Sequence, residues 1–292
     1  MKPLPEIQTQ EADIERLGDI AAEAYEIAGR LCGSCRNLHA LWPYIRLSRS
    51  TTGLEQSGSD LETALRSFIG EGLRKILIAG AADTGLLSLV LRAADNFDVD
   101  ITVLDVCAAP LELCRRLAGQ CSIPVRTVKQ DLADLDEEQT FDLVLVHGTL
   151  HFIAAEKRLN VLVRVHRALR PNGRLVLLFN TSRPSAIGKD DEFHHTYAES
   201  VVKELRRLAI RLPDAESEFV RRLSDHSRQR QGREGAFANP GDAKHLLEAA
   251  GFNISGCAEI EIPRSMQIFT SHISKHRFMA TTEPKFEPKF ST

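Results

Sequence analysis

The residues best suited to chemistry in this chain stand at the ends of short apolar runs in its middle third. The run ILIAGAADTGLL at positions 76 to 87 breaks at Gly80, turns polar at Asp83 and Thr84, and resumes after Gly85. Asp105 stands in ITVLDV 25 residues after Gly80, and Asp131 in VKQDL 26 residues further on. A glycine turn between a strand and a helix lets backbone N–H groups come close to a nucleotide-like ligand. A carboxylate at the next strand end can accept hydrogen bonds from both hydroxyls of a ribose, and one at the third can accept from an adenine amino group. Together the three features outline an adenosine site. The loop spells neither GxGxxG nor GxGxG, and Asp83 stands where a helix N-terminus favours an acid.

These positions need a scaffold of alternating strands and helices. From Lys75 the chain reads KILIAG, DITVLDV, PVRTVKQD, FDLVLVHG and GRLVLLFN as strands, with LLSLVLRAAD, PLELCRRLAG and EKRLNVLVRVHRAL as helices between them. The strands are short and apolar without strict alternation, which suits a sheet covered on both faces. NISGCAEIEI and KHRFMATT then read as a closing antiparallel hairpin. The expected fold is α/β, a doubly wound, mostly parallel seven-strand sheet.

Around this core the expected organisation has five parts. Residues 1–70 form an N-terminal helical cap, with SRSTTGLEQSGSD at 48 to 60 as a connector and a helix starting after Ser59 or Asp60. Residues 71–182 form the ligand-binding core. Residues 183–235 form a helical insertion or lid, in which a helix over 196–212 is stopped by Pro213. Residues 236–282 complete the core, and 283–292, with EPKF twice, form a disordered tail. Between Lys203 and Arg233 the insertion carries nine Lys or Arg against five Asp or Glu, which reads as a solvated helix face or, more sharply, as a lid that attracts an anionic substrate.

The totals narrow the partners. At 292 residues, with 43% hydrophobic and 26% charged residues, the chain can bury a full α/β core. A net charge of -3 argues against nucleic acid or an anionic membrane as partner, and no apolar run approaches a membrane span. The start MKPLPEIQTQ lacks a signal-peptide layout, so the expected compartment is the cytoplasm, with reduced cysteines. Cys32 and Cys35 form one Cys-x-x-Cys near His39 without a second pair at metal-site spacing, and Cys107, Cys114 and Cys121 read as small packing residues. No metal is expected.

Taken in order, the glycine loop, the two spaced acids, FDLVLVHGTLHFI and LVRVHRALRPNGRLVLLFN resemble the class I S-adenosylmethionine-dependent methyltransferases over roughly residues 70–280. The resemblance implies that Gly80, Ala82 and Gly85 face the methionine part of the cofactor, that Asp105 with Val106 meets the ribose, and that Asp131 with Leu132 meets the adenine. His147 takes a cofactor-contacting position, and His151 one turned towards a small-molecule substrate. Where the family carries an acid two places before the first glycine, this chain has Ile78, so Asp83 or a backbone carbonyl near Gly80 is the expected partner of the cofactor's ammonium group. Methyl transfer to oxygen or nitrogen gains from a base, and His151, His194 and His195 are the candidates. Trp42, Tyr44, Arg46 and Arg49 are candidates to cap cofactor or substrate, with a packing role the favoured reading for Trp42 and Tyr44. An NAD-linked oxidoreductase and a non-catalytic cofactor-binding scaffold are the alternatives.

Overall fold

A computed structural model describes residues 6–48, 54–95, 97–181, 190–230, 236–260 and 276–284. Strands β1 (Lys75–Ala79), β2 (Asp100–Asp105), β3 (Val125–Lys129), β4 (Phe141–His147) and β5 (Leu169–Thr181) run parallel in the order β3-β2-β1-β4-β5. The direction of winding reverses between β1 and β4, which opens a crevice at the C-terminal strand ends. β7 (His276–Pro284) lies antiparallel beside β5, and β6 (Phe252–Ile260) antiparallel beside β7.

Alternate residues of the central strands supply two cores. Leu77, Val144 and Val146 pack with Val161, Leu162 and Val165 of α6 (Ala155–Ala168). Ile76, Ile78, Leu143 and Leu145 pack on the other face with Leu61, Leu65 and Ile69 of α3 (Leu54–Gly70) and Leu87 and Val90 of α4 (Gly85–Ala94). Both faces are dry, which explains why these strands are apolar without alternation. The expected α/β class and parallel sheet are present. α5 (Ala108–Gln120) follows β2, and α9 (Pro240–Ala249) leads into β6.

A second body of helices has its own core. Tyr25, Leu41, Tyr44 and Ile45 of α1 (Glu6–Leu31) and α2 (Arg36–Leu47) pack with Val201, Leu205, Phe219 and Leu223 of α7 (Asp191–Arg207) and α8 (Glu216–Gln229). The rings of Tyr44 and Phe219 meet edge to face at 5.2 Å. The segments before and after the five parallel strands therefore share one core, with α2 between α7 and α8 on one side and the β1–α4 loop on the other.

Several element boundaries differ from the sequence reading. α3 begins at Leu54, so Ser59 and Asp60 lie inside it, and burial of Leu61 and Leu65 outweighs the weak helix propensity of the Ser- and Gly-containing start. α7 starts at Asp191, where Asp190 accepts a hydrogen bond from the Phe193 N–H at 2.8 Å. It ends at Arg207, ahead of Pro213, because Ala209 takes a left-handed conformation at φ +56°. β5 begins at Leu169 rather than with the run GRLVLLFN, and Pro171-Asn172-Gly173 is an excursion within it, with Asn172 at φ +66° and the β4 register shifting there. Of the expected tail, residues 283 and 284 end β7, whereas 285–292 lie outside the described residues, as do 49–53 of the expected connector. No described helix is long and apolar enough to cross a membrane.

The α7–α8 packing carries a pH dependence. His226 is only 4% exposed, and burial together with the Arg230 charge pulls its imidazole down to about 3. A histidine buried neutral must be charged on unfolding below its free value of about 6.5, so its contribution is complete above that pH and is lost as pH falls from about 6.5 towards 3. Between pH 7 and pH 5 the loss is about 2 kcal/mol. Unfolding measured at both pH values for the wild type and His226→Gln checks this: the variant should lose less stability on acidification, and parallel losses would contradict it.

Candidate functional site

The loops that leave the C-terminal ends of β1 to β4 are tied together by hydrogen bonds. Asp105 is the hub. One carboxylate oxygen accepts from the Ala81 N–H at 2.9 Å, the other from the Cys107 N–H at 2.7 Å, and its backbone carbonyl accepts from the Gln130 N–H at 3.0 Å. Burial pushes its carboxyl above the usual range, while the two N–H bonds and nearby His39 act the other way. Beside it Val106 is 60% exposed, an unusual position for a large apolar side chain at a strand end. Asp131 is exposed and accepts from the Ala133 N–H at 2.9 Å, whereas the Leu132 side chain lies in the core, so that only its backbone can meet a ligand.

Gly80 stands at φ +90°, a conformation that side chains disfavour, and a Cβ there would fall 2.3 Å from Thr149 Oγ1. Thr149 in turn donates to the Ala79 carbonyl at 2.9 Å, which locks the loop after β4 against the end of β1. Asp83 is 8% exposed; one oxygen accepts from the Gly85 N–H at 2.7 Å and the other pairs with Arg46 of α2. The Arg46 guanidinium lies over Gly85, where a Cβ would collide with it. His39, also from α2, approaches the Ala82 carbonyl at 3.1 Å through Nδ1. Thus α2 meets the glycine loop at Ala82, Asp83 and Gly85.

A comparison with known families matches residues 76–173 to the methyltransferase domain. Curated relatives of the chain include the carboxy-S-adenosyl-L-methionine synthase of Geobacter sp. (strain M21), 33% identical over 155 residues that cover 52% of this chain and 63% of that protein. The synthase of Alteromonas mediterranea is 28% identical over 111 residues, 37% of this chain and 46% of that protein. The chain thus spans from just under half to just under two thirds of the length of these relatives. Among solved structures, the 1,6-didemethyltoxoflavin-N1-methyltransferase of Burkholderia thailandensis aligns over 98% of this chain and 93% of its own, with 18% identity and a TM-score of 0.51. That likeness is one of fold.

The histidines separate once they are placed on the sheet and its added helices. His147 ends β4 and His151 lies in the 3₁₀ turn Leu150–Phe152, both half-buried, with the His151 ring 4.3 Å from that of Phe152. His194 and His195 fall in α7. His194 is 1% exposed with Nδ1 2.9 Å from Ser227 Oγ, a packing residue between α7 and α8 that has no surface for a substrate. His195 points the other way, mostly exposed and 3.3 Å from Glu199. As neighbours in α7 their side chains point about 100° apart, one into the helical core and one to solvent.

Other expectations resolve similarly. Tyr44 is core, Trp42 lies under Arg230 at 5.3 Å, and Arg49 is outside the described residues. Five of the nine insertion cations, Arg206, Arg207, Arg221, Arg222 and Arg228, are held in ion pairs with acids of the same segment. Cys114 is buried, its thiol pushed up to about 12 by burial, and packs as expected. Sequence reasoning passed over Thr149 and Arg158. Arg158 donates to the Leu150 and Ile153 carbonyls, both at 3.0 Å, and so braces the turn that carries His151. An arginine in an amphipathic helix gives no signal of that role, whereas the threonine stood inside a motif already quoted.

Proposed function

We propose that this chain is an S-adenosylmethionine-dependent methyltransferase that acts on a small-molecule hydroxyl or amine, with the cofactor held across the C-terminal ends of β1 to β4. The observation that carries the reading is the Asp105 carboxylate bonded to the Ala81 N–H at 2.9 Å, which makes the glycine loop and the acid of β2 one rigid unit at the winding reversal. The antiparallel strands β7 and β6 beside the five parallel ones support the seven-strand form that the sequence resemblance implies.

The residues present fit such a group. Gly80 and Gly85 leave a cradle that a Cβ would fill, Val106 offers exposed apolar surface for a purine, and Asp105 and Asp131 keep lone pairs beyond those used by backbone N–H groups. Arg46 and Asp83, a cation and an anion side by side above Gly85, match the carboxylate and ammonium of an amino-acid end. When bound, the cofactor supplies an activated sulfonium methyl group. The protein's work is then to hold an acceptor in line, exclude water and take up a proton, for which His151 on its braced turn is the candidate. The helical body of α1, α2, α7 and α8 closes one side of the site as cap and lid.

Replacement of Arg46 by alanine should weaken binding of S-adenosylhomocysteine roughly tenfold, about 1.4 kcal/mol, and leave 5′-methylthioadenosine, which lacks the amino-acid end, nearly unchanged. Equal loss for both ligands in calorimetry would reject the assignment. A second reading is favoured by the curated relatives, whose names give carboxy-S-adenosyl-L-methionine as product. On that reading the same site holds a carboxylated form of the cofactor. Mass spectrometry of ligand extracted from protein purified from cells separates the two: S-adenosylmethionine or S-adenosylhomocysteine supports the first, a carboxylated adenosylmethionine the second, and NAD neither.

A further inference from the structure

We infer that Cys32, Cys35, His39 and Cys107 form a structural metal site of the zinc type, which fastens the N-terminal helices to the end of β2. One donor atom from each residue lies within 4.8 Å of all the others. Cys32 follows the last residue of α1, Cys35 precedes α2, His39 is one turn into α2, and Cys107 precedes α5, so ends of three helices converge on one point. Cys107 Sγ is 3.3 Å from Cys32 Sγ and 3.5 Å from Cys35 Sγ. A disulfide would need about 2.05 Å, whereas tetrahedral zinc with bonds of about 2.3 Å holds its sulfurs about 3.8 Å apart.

Two further features fit a cation rather than plain packing. Nδ1 of His39 faces the Ala82 carbonyl at 3.1 Å, and a carbonyl accepts only from an N–H, so Nε2 is left as the lone-pair nitrogen. That is the orienting bond by which metal-binding histidines are fixed. The set of three sulfurs and one imidazole also suits zinc, and four protein ligands leave no open position for catalysis. Small hydrophobic cysteines would need neither the imidazole nor the meeting of three sulfurs.

The placement gives the metal a task. Cys107 donates its N–H to Asp105, and His39 bonds the residue before Asp83, so the four ligands brace both the acid of β2 and the glycine loop. On the proposed function, which this last step alone relies on, removal of the metal loosens the adenosyl site.

The test is metal analysis of the full-length protein purified under reducing conditions without chelator. About one zinc per chain is expected, retained in Cys121→Ser, whose thiol is exposed and outside the cluster, and lost from Cys35→Ser and Cys107→Ser. As a readout independent of how Cys107→Ser folds, cobalt(II) is added to metal-depleted wild type, where thiolate-to-cobalt and tetrahedral d–d absorption bands are expected. A folded, reduced wild type without bound metal and without those bands overturns the site, as does equal metal loss in Cys121→Ser. Affinity for S-adenosylhomocysteine, measured before and after chelation, should fall several-fold. An unchanged affinity with one zinc bound would overturn the bracing role, and absence of adenosyl binding in the zinc-loaded protein would count against the proposed function and not against the metal.

Discussion

Asp105→Ala is expected to weaken binding of S-adenosylmethionine by about 1–3 kcal/mol, roughly 5- to 150-fold in Kd. Two losses combine. The variant removes the acceptor proposed for the ribose hydroxyls, and it leaves the Ala81 and Cys107 N–H groups without the oxygens they bond at 2.9 and 2.7 Å. The second loss also lowers stability, so thermal unfolding must be measured beside affinity. Asp105→Asn distinguishes the two effects, since its single carbonyl oxygen can still serve one of the N–H groups while the charge is gone. Stability should then fall less than in Asp105→Ala, with affinity still reduced. Calorimetry that finds both variants binding as tightly as the wild type would remove Asp105 from the site.

Gly80→Ala should destabilise the fold by about 2–3 kcal/mol. An L side chain in the left-handed region costs about 1–2 kcal/mol, and displacement of Thr149 breaks its bond to the Ala79 carbonyl, worth about 1 kcal/mol. The parts are separable. Thr149→Ala removes both side-chain atoms that lie closest to the added Cβ, so the double variant should lose less than the sum of the single losses, with the backbone strain remaining. Denaturant unfolding of the four proteins gives the coupling. A Gly80→Ala cost below about 0.5 kcal/mol would mean that the loop relaxes freely and is not locked to the turn after β4.

Strand ends were legible in the sequence, because each is an apolar run cut off by one polar or glycine residue. Gly80, Asp105, Asp131 and His147 all terminate strands or follow them, and the parallel sheet brings those ends to one edge without further instruction. Contacts between segments far apart in the chain were not legible. Arg46 on Asp83, His39 on the Ala82 carbonyl and Cys107 on Cys32 and Cys35 link α2 and its approach to loops about 40 to 75 residues away, and no local pattern encodes such a meeting. The chain has no second Cys-x-x-Cys, because the third sulfur comes from the end of β2. The different surroundings of His194 and His195 were not legible for another reason: adjacent residues on a helix point about 100° apart, so one ring is buried and the other exposed.

The central claim is that the loops after β1 to β4 form one adenosyl site. It is tested most directly by isothermal titration of the purified protein with S-adenosylmethionine, S-adenosylhomocysteine and NAD. Saturable binding of both adenosyl ligands at one site per chain, with no detectable heat from NAD, is the predicted result; absence of binding by either adenosyl ligand to a folded protein would contradict it.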